Sequence, residues 1–278
     1  HLNVLRSFSK EALYGARVTL VTPLARQIYS GMLPGVVAGH YRLDEAKAQL
    51  SRAAIATRPR TMWRYHELMP VQHETNIVTL GEGYTPILPM RNLGAAIGLN
   101  KLLVKDEGLN PTGTFKSRGA SVGVSRAKEL GINDVAMPTA GNAGSAWAAY
   151  GAAAGVRIRI AMPQDAPEIN KLECRIYGAD LTLVDGLISD AGKLTAQGVK
   201  EHGWFDASTL KEPYRIEGKK TMGYEIAEQL GWRLPAVVIY PAGGGVGIIG
   251  IWKAFNELIT LGWVSASPVR FVVVQAQG

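Results

Sequence analysis

The sequence predicts an α/β protein with two parallel sheets, and three observations carry that prediction. Short β-branched runs alternate with amphipathic segments from about residue 132 onward. Glycine-bearing turns stand where several of those runs end, and a long irregular stretch divides the runs into two groups. Alternation of strand and helix favours parallel strands covered on both faces, with ligands outside their carboxyl ends.

Taken in order, residues 1–40 show neither a sustained period nor a signal-peptide pattern, and no function is read from them. Residues 41–68 read as helix, broken at Arg58-Pro59-Arg60 and resumed at Met62-Trp63-Arg64-Tyr65, as an arm packed on the body. A turn at Pro111 and Gly113 opens a helix over about Ser117 to Leu130. Strands are predicted at Asp134–Met137, Arg157–Met162, Asp180–Val184, Ala236–Tyr240 and Val269–Val274. Helices are predicted at Ala143–Ala154, where Trp147 and Tyr150 keep a helical spacing, and at Ile188–Glu201 and Gly218–Leu230, where charges oppose an apolar stripe. A last helix runs from the glycine cluster at 243–247 to about Leu261. The stretch Asp206–Gly218, with Pro213 and several polar residues, is read as a crossing between domains that borders a cleft.

Composition narrows the function classes. With 278 residues, 47% hydrophobic and 19% charged, the chain suits one large or two ordinary domains. Its longest apolar runs are far shorter than the roughly 20 residues that cross a bilayer, so no membrane partner is expected. The formal charge of +7 is spread along the chain, which favours small phosphorylated ligands over nucleic acid. The single cysteine, Cys174, excludes an internal disulfide and a multi-thiolate zinc site, and fits a reducing cytoplasm. His1, His40, His66, His73 and His202 lack metal-ligand spacing, so no metal is expected.

Three segments concentrate the chemistry. In Asn110-Pro-Thr-Gly-Thr-Phe-Lys-Ser-Arg-Gly119, Lys116 sits beside Phe115 at the opening of a helix whose free amides favour an anion. A lysine amine with a lowered pKa attacks aldehydes, and Schiff-base chemistry with pyridoxal phosphate is the commonest use of one; the alternative is a solvated surface lysine. Thr139-Ala-Gly-Asn-Ala-Gly144 lies between a strand and a helix, where bared amides bind carboxylates and Asn142 either donates to a phenolate or caps the helix. Gly243-Gly244-Gly245-Val246-Gly247 leaves the backbone bare for a phosphate, or serves as a structural turn. It is neither a Walker loop nor a dinucleotide fingerprint.

Together, in order and spacing, these segments resemble the lysine, asparagine and phosphate loops of fold type II pyridoxal phosphate enzymes. Gly81-Glu-Gly-Tyr-Thr-Pro86 and Tyr214-Arg-Ile-Glu-Gly-Lys-Lys-Thr221 narrow the resemblance to threonine synthase, over roughly residues 41–278. The resemblance implies a tryptophan synthase beta subunit-like architecture: an arm at 1–77, a large domain from 78–116 and 208–278, and a smaller α/β domain at 117–207. It implies pyridoxal 5′-phosphate held by Lys116, Phe115, Asn142, Gly243, Gly244, Gly245, Val246 and Gly247. The substrate, a phosphorylated amino acid, would meet Thr85, Thr139, Gly141, Asn142, Ala143, Arg215 and Lys220, with Arg215 on the phosphate and Lys220 second; the alternative for both cations is an exposed pair. Thr85 is read either as a contact or as a residue that shapes a turn.

The activity implied is conversion of O-phospho-L-homoserine and water to L-threonine and phosphate, by a homodimer in the full-length form. Ser117 departs from the aspartate that many threonine synthases carry after the lysine, which keeps a threonine or serine dehydratase open. Family members continue beyond Gly278, where the serine or threonine that meets the pyridine nitrogen would lie, so the chain reads as truncated at that end. An inactive fragment, or a nucleotide binder using the glycine loop alone, are the remaining alternatives.

Overall fold

The computed structural model describes residues 50–275; the readings of residues 1–49 lie outside them. The expected helix at 41–68 is, where described, a single turn of helix α1 at Arg52–Ala56 and a 3-10 segment at Met62–Leu68 with Tyr65 off helical geometry. Ser51 caps α1 through its hydroxyl, and Pro59 forbids its continuation. Trp63, Tyr65 and Leu68 are nonetheless buried, so the arm packs on the body through its aromatic face.

Strands β1 (Ile87–Pro89) and β2 (Leu103–Lys105) pair antiparallel across helix α2 (Arg91–Ala96). Helix α3 (Lys116–Glu129) follows a turn in which Thr112 and Gly113 both take left-handed backbone. A β-branched residue rarely adopts that conformation. Here the Ser117 hydroxyl holds it, bonding Thr112 Oγ1 at 2.9 Å and donating to the Pro111 carbonyl at 2.6 Å.

Next come β3 (Asp134–Pro138), α4 (Asn142–Ala154), β4 (Arg157–Pro163), α5 (Glu168–Ile176), β5 (Asp180–Val184), α6 (Ile188–His202) and β6 (Phe205–Asp206). They build a parallel sheet of order β5-β4-β3-β6. Val135, Met137, Ile158, Ile160 and Met162 fill one core with Trp147 and Tyr150 of α4. Burial on both faces explains why these strands are runs of β-branched and apolar residues.

Helix α7 (Tyr214–Gln229), strand β7 (Val237–Pro241), helix α8 (Val246–Thr260) and strand β8 (Arg270–Val274) complete the described chain, with β7 and β8 parallel. The fold is therefore α/β with two parallel sheets. One boundary differs from expectation: α7 begins at Tyr214, directly after Pro213, so the last part of the expected irregular crossing, from Tyr214 to Gly218, is helix. Proline is well placed just before a helix, because its missing N–H is not needed there.

Helix α7 is buried along nearly its whole length. It is packed between α3 and α8 at glycines. A Cβ on Gly218 would lie 2.0 Å from the Arg118 carbonyl oxygen of α3, and one on Gly250 of α8 would lie 2.8 Å from the Lys220 nitrogen. These helices meet backbone to backbone, so their positions along one another are fixed by sterics rather than by adjustable side chains.

Candidate active site

The carboxyl ends of β3 and β7 face a cavity lined by Phe115, Lys116, Ala143, Trp147, Thr209, Arg215, Lys219, Tyr240 and residues 243–247.

Lys116 is the first residue of α3, and its backbone N–H is met by the Thr114 hydroxyl at 3.2 Å. Its amine lies 4.6 Å from the centre of the Phe115 ring. Burial first, and the Arg215 guanidinium second, lower its pKa from the usual lysine value. A larger fraction is thus the free amine at neutral pH, the form that attacks a carbonyl.

The glycine loop lines the same cavity. Gly245 takes left-handed backbone as the residue before α8, and all five residues 243–247 line the cavity. The first N–H groups of a helix have no partner within it, and the helix dipole adds positive potential there. Gly247 has to be glycine, since a Cβ would sit 1.9 Å from the Tyr240 hydroxyl. That hydroxyl is buried and finds no hydrogen-bond partner among the described residues. Tyr240 also packs edge-on to Phe115, with ring centres 6.0 Å apart.

Arg215 is 4% exposed. Its Nε donates to Glu212 at 2.7 Å, another nitrogen donates to the Ala207 carbonyl, and the guanidinium lies 5.4 Å from the Trp147 ring centre. The bonds fix its orientation while leaving it on the cavity wall.

Other expected residues are placed elsewhere. Thr139 and Gly141 bond each other just outside the lining, through the Thr139 hydroxyl and the Gly141 backbone. Asn142 opens α4 but makes no capping bond; its side-chain oxygen accepts from Asn170 at 3.0 Å. Of that loop only Ala143 lines the cavity. Thr85 belongs to a buried network in which its hydroxyl donates to Glu107 at 2.6 Å and accepts from Arg118 at 3.3 Å. In the same network Arg118 and Lys105 both hold Glu225. There burial, which raises a carboxyl pKa, is overcome by Arg118 and then Lys105, bringing Glu225 down to about 2.

Lys220 is not at the cavity. It is 0% exposed and lies between Glu217 at 2.7 Å and Glu257 at 3.2 Å, in a buried cluster that also holds Lys253 and Tyr224. Nor are Arg215 and Lys220 an exposed pair. The reason is helical register: counted from Arg215, residue 219 is about 40° round the helix and residue 220 about 140°. The lysine of α7 that lines the cavity is Lys219. That signal was in the sequence, as an i,i+4 spacing from Arg215, whereas nothing in the sequence singled out Thr209 or Tyr240.

The donor set fits a phosphorylated aldehyde: the desolvated amine of Lys116, a bare helix N-terminus and an orphaned hydroxyl on a single cavity. Residues 78–278 match the model of the pyridoxal-phosphate dependent enzyme family. The chain belongs to that family. Its members take pyridoxal 5′-phosphate as cofactor, and the chain has their fold type II architecture. It is 37% identical over 252 residues to the threonine synthase of Methanocaldococcus jannaschii, covering 90% of this chain and 62% of that protein. It is 38% identical over 203 residues to the threonine synthase of Halalkalibacterium halodurans, covering 71% of this chain and 56% of that one. The chain thus spans rather less than two thirds of these curated relatives. Among solved structures it resembles a pyridoxal 5′-phosphate-dependent aspartate racemase, with TM-score 0.63 and 22% identity over 70% of this chain and 58% of that one. It also resembles the processed threonine deaminase isoform 2 of Solanum lycopersicum, with TM-score 0.61 and 22% identity over 78% and 58%. At such identity the structures speak for the fold alone.

Proposed function

We propose that this chain carries the cofactor and substrate site of a threonine synthase, converting O-phospho-L-homoserine and water to L-threonine and phosphate. The observation that carries the reading is one cavity with a partly desolvated amine, Lys116, a phosphate-suited glycine loop, and a buried arginine, Arg215, on its wall. When bound, pyridoxal phosphate supplies an aldehyde for amines and a ring that spreads the negative charge released at the substrate Cα.

In this reading Lys116 anchors the cofactor through its Nζ, gives way to the substrate amine, and then moves protons from that same nitrogen. Residues 243–247 hold the cofactor phosphate through their N–H groups. Asn142, whose side-chain oxygen is held by Asn170, would offer its amide N–H to the cofactor ring, and the loop 139–143 would take the substrate carboxylate. Arg215 offers paired donors to the phosphate that leaves from Cγ, and its bond to Glu212 keeps that fork oriented. Phe115 and Tyr240 keep the floor apolar, which limits water around the amine.

A dehydratase acting on threonine or serine is the second reading, favoured by Ser117. Its hydroxyl is spent on Pro111 and Thr112 rather than on the cavity. Purified chain, loaded with cofactor, should release phosphate and threonine from O-phospho-L-homoserine. Release of 2-oxobutanoate from threonine, with no phosphate released from phosphohomoserine, would assign the dehydratase instead.

A further inference from the structure

We propose that Lys219 is a substrate-binding residue, the second cation that with Arg215 receives the phosphoryl group of the phosphorylated amino acid. This rests on the reading above, and goes beyond it in giving a role to a residue of the 214–221 motif to which none had been assigned.

The geometry comes first. Lys219 is 3% exposed, yet it lines the cavity. Its amine lies 5.8 Å from the centre of the Phe115 ring that also carries Lys116. Its hydrogen bond is to the Arg215 carbonyl at 3.5 Å, a long contact, and no carboxylate pairs with it among the described residues. Its neighbour Lys220 has two carboxylates. A buried ammonium without a counter-ion is costly, so such a site is built for an anion that arrives from outside.

A second observation shows that room is kept for it. A Cβ on Gly119 would lie 2.4 Å from the Lys219 nitrogen and 3.1 Å from the Arg215 carbonyl oxygen. The glycine of α3 thus opens the slot in which the amine lies.

The charged and titratable groups around it are Lys116 from α3, Arg215 from its own helix, Glu212 from the turn before it, and Tyr240 from β7. Burial, then Arg215 and Lys116, hold the Lys219 pKa well below the usual lysine value, against a smaller pull from Glu212. A phosphate dianion reverses that balance and draws a proton onto the amine. In that reading the glycine loop supplies donors for the cofactor phosphate, so the two cations that share its cavity are assigned to the substrate.

The test is calorimetric binding to cofactor-loaded protein of two ligands that carry no group able to leave from Cγ. One is the phosphonate isostere of O-phospho-L-homoserine, with CH2 in place of the ester oxygen; the other is L-norvaline, which lacks the phosphonate. Wild type should prefer the phosphonate, and Lys219→Met and Lys219→Gln should each weaken it by about 10- to 100-fold while moving norvaline by less than about threefold. Cofactor affinity, read from visible absorbance, should stay within about threefold of wild type. Equal weakening of both ligands would make Lys219 structural and overturn the proposal. Loss of cofactor affinity with phosphonate binding intact would assign Lys219 to the cofactor phosphate and also overturn it. If wild type prefers the phosphonate and the variants keep that preference, only this inference falls; if wild type shows no preference, the threonine synthase reading falls with it.

Discussion

Lys116 owes its proposed chemistry to its surroundings, which can be altered one at a time. The Lys116→Ala variant, mixed with cofactor, should lose the visible band and the borohydride-fixed label on its peptide; persistence of both would place the cofactor on another residue. Because burial and then Arg215 lower the Lys116 pKa, reaction of its amine with an acylating probe should be half-maximal below 10.5. Arg215→Met removes one positive neighbour, so the half-point should move up towards the usual value. An unmoved or lower half-point would remove the electrostatic link between them. At this scale the sequence was informative where chemistry demands a residue type in a turn. Lys116 and the glycine cluster stood out in combination with the asparagine loop, since a lysine at a helix start or a glycine turn is by itself often plain structure. Lys219 was overlooked beside Lys220, since adjacent lysines look alike in a string and differ only by about 100° on a helix.

Between α7 and α8 lies the buried cluster of Glu217, Lys220, Lys253, Glu257 and Tyr224. Removing one member strands the others in low dielectric, so Lys220→Met should lower unfolding stability in urea by about 3–5 kcal/mol. If that variant stays folded, its cofactor band should remain, because Lys220 is remote from the cavity; loss of the band in a folded variant would contradict this. At Glu217 burial, which alone would raise the pKa, is overcome by Lys220 and Lys253, and the carboxyl is brought to about 2 from 4.5. Its contribution is therefore present above 4.5 and is lost as the pH falls towards about 2. Gly218→Ala pushes a Cβ onto the Arg118 carbonyl and should cost about 3 kcal/mol or more in the same assay. Elements were legible in proportion to their length. The five longer strands lie within a residue or so of their expected ends. The short β1, β2 and β6 went unread, since two or three residues carry no period, and α7 started early because burial on all sides leaves no amphipathic stripe to mark its first turn.

The whole molecule places two poorly compensated buried amines, Lys116 and Lys219, on one cavity between its sheets. Both have folded pKa values below the unfolded value of 10.5, so between those limits the unfolded chain binds more protons. Stability of the cofactor-free protein should consequently rise with pH, by at most about 1.4 kcal/mol per pH unit for each amine. The clean comparison is wild type against Lys219→Met from about pH 7 to 9, below the range in which tyrosines ionise. The variant should be the more stable at the lower end and show a flatter slope; parallel profiles would refute the account. Cofactor at about 100 times its Kd should add about 2.7 kcal/mol to wild type, seen as a higher Tm.

The bare glycine crossings at Gly218 and Gly250 have an evolutionary corollary. With no side chain at those two crossing points to resize, α3, α7 and α8 act as a ruler that sets the interval between the amine-bearing helix and the cation-bearing one. A slip of one turn would displace a charge by about 5.4 Å, beyond what any rotamer recovers. Changes of specificity in such a frame are therefore left to single side chains on the cavity wall, as at position 219, and to the loops at 139–144 and 243–247, where the backbone can be redrawn without recalibrating the rest.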